Sequence, residues 1–286
     1  MNPAVPYTPE EIARDAYECW KAGAAMTIDF HTHIFPASMA EKVIVPMGRS
    51  SRARHYADGT AEGLLASMAR AGVDRSVVLP VATNARQVEM LNATSAEATA
   101  KLAGRGIFSF GAMHPDYADY KAELARVKER GLKGVKIHPP YQQTPLDDPR
   151  YLRILDRCAE LDLIVVTHAG IDVGVPGDWC TPEQAVRAVE QVPWPKLVLA
   201  HLGGWRQWDQ VLEQLAGRDL YLDTAFCFGA LEPAPGTQRT AQERQLIRRE
   251  TFAALVRRHG AERILFATDS PWSDPARDLA ELDSMP

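Results

Sequence analysis

The sequence predicts a (β/α)8 barrel preceded by a helical extension. Three observations predict it. Eight short, apolar runs rich in β-branched residues alternate with helical stretches along the chain. None shows the polar alternation of a sheet with one wet face, so each reads as a parallel strand covered on both sides. Finally, His31, His33, His114, His138, His168, His201 and Asp269 all stand at or just past the ends of these runs. A barrel of this kind gathers its functional groups at the C-terminal ends of its strands. An open doubly wound sheet is the alternative, but no Gly-x-Gly-x-x-Gly turn follows any strand.

Taken in order, residues 1–25 form the extension. Thr8, Pro9 and Glu11 supply a capping hydroxyl, a first-turn proline and an acid three residues after the cap, so a helix is predicted over 8–20. The barrel occupies 26–286. Its first strand, 26–30, runs into His31 and His33. In extended backbone these two project to one face, so both imidazoles can reach a single divalent ion. A long connection through Gly59 follows, then a helix over 60–71 that ends at Gly72. The second strand is 76–81, followed by a helix over 85–103. The third strand, 107–112, ends near His114 and leads to a helix over 117–130. The fourth, 134–138, carries Lys136 and His138 and is broken by Pro139 and Pro140. After a helix over 149–161, the fifth strand, 163–167, ends at His168. Thr181, Pro182 and Gln184 cap the next helix, and the sixth strand, 197–200, ends at His201. A helix near 205–215 leads to the seventh strand, 220–223. A loop rich in Pro and Gly, 228–240, precedes a helix to His259, and the eighth strand, 264–267, runs into Thr268 and Asp269.

The 286 residues are 46% hydrophobic, enough to bury a sizeable core. A net charge of -5 gives no reason to expect nucleic acid or an anionic membrane as partner. Cys19, Cys158, Cys180 and Cys227 lack CxxC spacing and read as reduced thiols of a cytoplasmic protein. No stretch is apolar enough for a membrane span, and no charged-then-apolar leader is read at the start.

Five motifs carry a resemblance. They are Asp29-Phe30-His31-Thr32-His33, Gly134-Val135-Lys136-Ile137-His138-Pro139, Thr167-His168-Ala169-Gly170, Ala200-His201-Leu202-Gly203-Gly204 and Ala267-Thr268-Asp269-Ser270-Pro271-Trp272. In this order and spacing they resemble the amidohydrolase superfamily, in the branch called amidohydrolase family 2. The resemblance implies metal ligands at His31, His33, His168 and Asp269. It also implies that His201 is catalytic, beside the metal-bound water. The alternatives for His201 are a ligand to a second metal or a structural partner of Asp269. In some relatives a strand-four lysine is carboxylated and bridges two metals. For Lys136 the preferred reading is a charged lysine that pairs near the metal or orients an anionic substrate. His138, Tyr141, Trp205, Arg206 and Trp272 are the further substrate-binding candidates.

The implied cofactor is one divalent ion, zinc first and manganese second. Such an ion acidifies water, whose pKa falls to roughly 7 in favourable sites. His201 and Asp269 can take and return the proton. The first reading is therefore a hydrolase that attacks the carbonyl of a lactone, amide or ester in a small acidic metabolite. The alternative is a non-oxidative decarboxylase of an aromatic or enoic acid, and the motifs do not separate the two. No Gly-x-Ser-x-Gly elbow offers a competing nucleophile. Two departures from the family pattern are the extension and a chain that stops soon after Asp269, leaving residues 278–283 for at most a short final helix. The expectation is that the helix over 8–20, or a second copy of the chain in a homo-oligomer, covers the surface left bare.

Overall fold

The computed structural model describes residues 26–192 and 196–285. The helix expected over 8–20 and Cys19 lie outside the described residues.

Among the described residues, eight parallel strand runs follow one another as predicted. β1 (Ile28–Thr32), β2 (Arg75–Val78) and β3 (Ile107–Ser109) form one ladder. Past Phe110 the third strand resumes as Gly111–Ala112 and pairs with β4 (Gly134–Ile137). β5 (Ile164–Thr167), β6 (Lys196–Leu199), β7 (Tyr221–Asp223) and β8 (Ile264–Leu265) complete the second ladder. Regular pairing does not run right round the ring. Backbone hydrogen bonds link its open side: Phe30 N–H to Phe266 O at 2.9 Å, Asp269 N–H to His31 O at 2.8 Å and His33 N–H to Ser270 O at 2.7 Å. They place His31, His33 and Asp269 at one end of neighbouring strands.

The unalternating strands have two buried faces. Ile164 and Val166 pack inside with Phe30, Val77, Leu79, Phe110 and Val198. Val165, between them, packs outside with Leu155, Leu197 and Leu199 under the helices. A period of two divides one apolar run between two apolar environments.

The long connection after His33 contains a helix, α1 (Ala40–Ser51), where the sequence suggested only a connection. Pro46 lies inside it, and its buried positions are Ala40, Ile44 and Gly48. An interior proline and small buried residues weaken the helical signal. Pro139 and Pro140 do more than end the fourth strand. They begin a one-turn helix, Pro139–Gln142, whose cap is the His138 ring. The helix expected up to His259 is two, Ala241–Arg244 and Arg249–His259. The final helix, Pro275–Asp283, starts earlier than expected because the Asp274 carboxylate caps the N–H groups of Ala276 and Arg277. Its Leu279 packs onto Leu64, Met68 and Ile107, so this helix covers part of the surface assigned to the extension or a second copy. No helix among the described residues is long and apolar enough to cross a membrane.

Candidate metal centre

His31 and His33 leave β1 on the same side, with ring centroids 5.1 Å apart. Asp269 adopts a φ of 65°, and its N–H bonds to the His31 carbonyl. Its Oδ1 lies 2.9 Å from His33 Nε2 and 3.5 Å from His31 Nε2. One ligand atom from each of these three residues lies within 4.8 Å of the others. His168 groups instead with His138 and Asp172 within the same span. It adjoins the first triad through His201, whose ring centroid is 4.7 Å from His168 and 5.6 Å from His31.

The hydrogen bonds behind each imidazole fix which nitrogen is free. A carbonyl only accepts, so His33 Nδ1, 2.8 Å from Leu79 O, carries the proton and its Nε2 lone pair faces Asp269. His201 Nδ1 donates to Ala225 O at 2.8 Å, which leaves its Nε2 to accept from His168 Nδ1 at 3.1 Å. His168 Nε2 is then a bare lone pair, buried and without a partner among the described residues. His31 Nδ1 donates to Asp223 Oδ2 at 2.9 Å, and its Nε2 faces Lys136 Nζ at 3.2 Å. Two acceptors, His33 Nε2 and Asp269 Oδ1, meet at 2.9 Å, a contact that needs a cation or a proton between them. The His31 and His33 lone pairs and the Asp269 carboxylate suit zinc or manganese, while the orphaned His168 nitrogen belongs to the neighbouring group with His138 and Asp172. The residues present fit a divalent metal.

The electrostatics agree. Burial holds His31, His138 and His168 well below the usual imidazole range, with nearby positive groups adding. Neutral rings are the form that ligates metal. Burial also draws the Lys136 ammonium down to about 8, opposed by Asp223 and Asp269. Burial works to raise the Asp269 carboxyl, and it is positive charge on the facing His33, His31 and His201 rings, the place a bound cation would take, that holds it below its usual range.

Beside the triad, His138 is stacked between Tyr141 at 3.9 Å and His168 at 4.5 Å. Its Nδ1 accepts the Tyr141 N–H, so Nε2 bears the proton, 3.8 Å from Asp172 Oδ2. The other Asp172 oxygen is held by the N–H groups of Gly174 and Val175 at 2.7 and 2.9 Å. Burial raises the Asp172 carboxyl and, with Asp172 and Asp269 adding, the Tyr141 phenol. Lys136, His138 and Tyr141 thus gather at the centre.

Trp205, Arg206 and Trp272 have other surroundings. The Trp205 indole donates to Phe226 O at 3.2 Å, and the ring packs with Ala53, Leu231, Leu246 and Trp272. Its backbone passes so close to Gly170, φ 87°, that a Cβ there would lie 2.0 Å from Trp205 N. The Arg206 guanidinium stacks over Trp205 at 4.6 Å and donates to the Gln242 and Glu243 carbonyls. Its charge is committed to backbone, which argues against its expected role toward substrate. A groove of about 620 Å³ bordered by Arg206, Trp208 and Arg248 includes none of the centre's residues. Gly203, φ 80°, lies against the Leu222 and Val211 side chains.

Asp172 and Asp223 were not among the expected site residues. Asp223 had a readable signal, since it closes an apolar strand run at the same end as the histidines. Asp172 lies in a loop and had none.

Comparison with known proteins agrees with this fold. A 2,6-dihydroxybenzoate decarboxylase from Rhizobium is similar over 91% of this chain and 92% of its own, at 16% identity and a TM-score of 0.63. A 5-carboxyvanillate decarboxylase from Novosphingobium aromaticivorans, with bound manganese and 3-methoxy-4-hydroxy-5-nitrobenzoic acid, is similar over 91% of each chain, at 13% identity and a TM-score of 0.64. A TIM-barrel protein from Bordetella bronchiseptica is similar over 90% of each chain, at 17% identity and a TM-score of 0.64. No curated protein matches the chain significantly in sequence. A beta-keto acid cleavage enzyme family model matches residues 1–42 alone. The amidohydrolase family model matches residues 28–286, which takes in every strand and every histidine of the centre, and the chain belongs to that family.

Proposed function

We propose that this chain removes CO2 from a small aromatic or enoic acid, without oxidation and with one divalent metal. The observation that carries the reading is its similarity to decarboxylases of hydroxylated benzoic acids over nine tenths of both chains.

In this reading His31, His33, His168 and Asp269 hold the metal. When bound, the ion supplies a Lewis acid that anchors and polarises substrate oxygens. Manganese is the first ion to test, since the 5-carboxyvanillate relative holds it. The buried Lys136 ammonium offsets the negative charge of the substrate. His138 Nε2–H and the Tyr141 hydroxyl are hydrogen-bond donors for its carboxylate or phenol. The bond between the carboxyl carbon and the ring or alkene carbon breaks, the electron pair stays on that carbon, and the carbon takes one proton. His201 and Asp269 hold and deliver that proton. Substrate is a small molecule, and no nucleic acid or membrane is called for.

The hydrolase reading of the sequence, attack on a lactone, amide or ester, stands second, in keeping with the family's description as an amidohydrolase. Protein loaded with manganese or zinc is given hydroxylated benzoates and enoic acids, and separately lactones, amides and esters. CO2 release from an acid supports the proposal. Opening of a lactone or amide, with no CO2 from any acid, overturns it in favour of hydrolysis.

A further inference from the structure

Asp223 closes β7 and is fully buried. Its two oxygens serve two different histidines. Oδ2 accepts from the His31 ring at Nδ1, 2.9 Å away. Oδ1 accepts the backbone N–H of His201 at 2.9 Å and that of Ala225 at 3.1 Å. The Ala225 carbonyl in turn accepts from His201 Nδ1 at 2.8 Å. The turn from Asp223 to Ala225 therefore grips His201 at both its backbone and its ring. That grip falls on a backbone in an uncommon conformation. His201 has a φ of 60° and Leu202 a φ of 54°, a region that side chains with a Cβ seldom adopt.

We infer that Asp223 is a positioning residue that sets the tautomer of His31 and holds His201 in register with it through one carboxylate. The inference rests on the metal-centre reading above and concerns how that centre is built. By donating Nδ1–H to Asp223, His31 keeps Nε2 bare toward Asp269 and Lys136. Ligating imidazoles are commonly fixed in this way by a carboxylate behind them. Here the same carboxylate also places the second histidine. A purely structural carboxylate would have no effect on which His31 nitrogen carries the proton.

An isosteric change separates these roles. In Asp223→Asn the amide has one acceptor and one donor. Its oxygen can satisfy the two backbone N–H groups, which turns its NH2 toward His31 Nδ1. That nitrogen must then accept, and the His31 proton moves to Nε2, the ligand atom.

The first measurement needs no variant. Nitrogen-15 NMR of histidine-labelled, metal-free protein should find His31 as the Nδ1–H form, with His31→Ala assigning the resonance. Asp223→Asn should invert it to the Nε2–H form. In the same variant manganese(II) affinity, measured by competition with a chelator, should fall by roughly 10–100-fold. Wild-type His31 in the Nε2–H form overturns the inference, as does an Asn variant with an unchanged tautomer and unchanged affinity. Neither readout uses turnover, so failure of the decarboxylase reading would show separately, in the CO2 assay.

Discussion

The Asp29 carboxylate and the Thr268 hydroxyl meet at 2.6 Å across 239 residues of chain. Asp29 also accepts the N–H groups of Thr268 at 3.0 Å and His31 at 3.2 Å. Thr268 Oγ1 takes the Ser270 N–H at 3.0 Å. One buried pair thus ties β1 to the segment after β8, beside His31 on one side and Asp269 on the other. Thr268→Val keeps the shape and deletes the hydroxyl. It leaves an Asp29 oxygen and the Ser270 N–H short of partners, at a cost of about 1–3 kcal/mol. Chemical denaturation should show that loss, and metal affinity should fall with it. An unchanged denaturation midpoint would mean that the backbone bonds alone hold this junction.

A second buried carboxylate makes stability depend on pH. Asp278, in the final helix, accepts Ser273 Oγ at 2.8 Å, while its Oδ2 has no partner among the described residues. Burial pushes its carboxyl up to about 7, with Asp274 adding and Ser273 and Arg277 opposing. From about pH 4 to pH 7 the folded chain keeps a proton that the unfolded chain has released. Stability therefore falls as pH rises through this window, by about 4 kcal/mol at the limit for a shift of this size. Asp278→Asn cannot ionise. Its stability should change less across the window, and at pH 8 it should exceed that of the parent. Urea denaturation at a series of pH values checks this, and parallel curves for the two proteins would refute it.

The metal itself gives a third prediction. Protein incubated with manganese or zinc and then desalted should retain about one equivalent, as a single centre of this donor set requires. His31→Ala combined with His33→Ala should abolish retention, because it removes two of the three lone pairs that face Asp269 or lie bare. Mass analysis of metal content decides the matter. Two tightly held ions, with added mass on Lys136, would replace this reading with a bridged pair of metals.

Much of this was legible because the barrel repeats one rule. Val165 and Val166 read as an apolar run since both faces of β5 are buried, and His168 stands out as the first polar residue beyond it. The spacing of His31 and His33 is a weak signal by itself and gains its weight from the other strand ends that carry His or Asp. What stayed hidden depends on pairing across long separations. Asp223 reaches His31 over 192 residues, and no local pattern announces that contact. Arg206 looked available to an anion because the carbonyls that occupy it lie 36 and 37 residues further on. The α1 helix was hidden for a local reason, the proline inside it.

His201 gives the last prediction. Its Nδ1 is anchored on Ala225 O, and its Nε2 holds the His168 ring at 3.1 Å. An asparagine in its place can still present an acceptor to His168 Nδ1–H but cannot carry a proton. His201→Asn should therefore keep the metal while losing most turnover, roughly 10²–10⁴-fold for a positioned acid–base group. Metal content and kcat have to be measured on one preparation, with the substrate found in the CO2 assay. Metal lost in proportion to activity would make His201 a ligand, or the essential support of His168. Full activity with the metal retained would leave it no part in the chemistry. Only a metal-loaded, inactive variant fits a residue whose task is the proton that the departing CO2 leaves the carbon to collect.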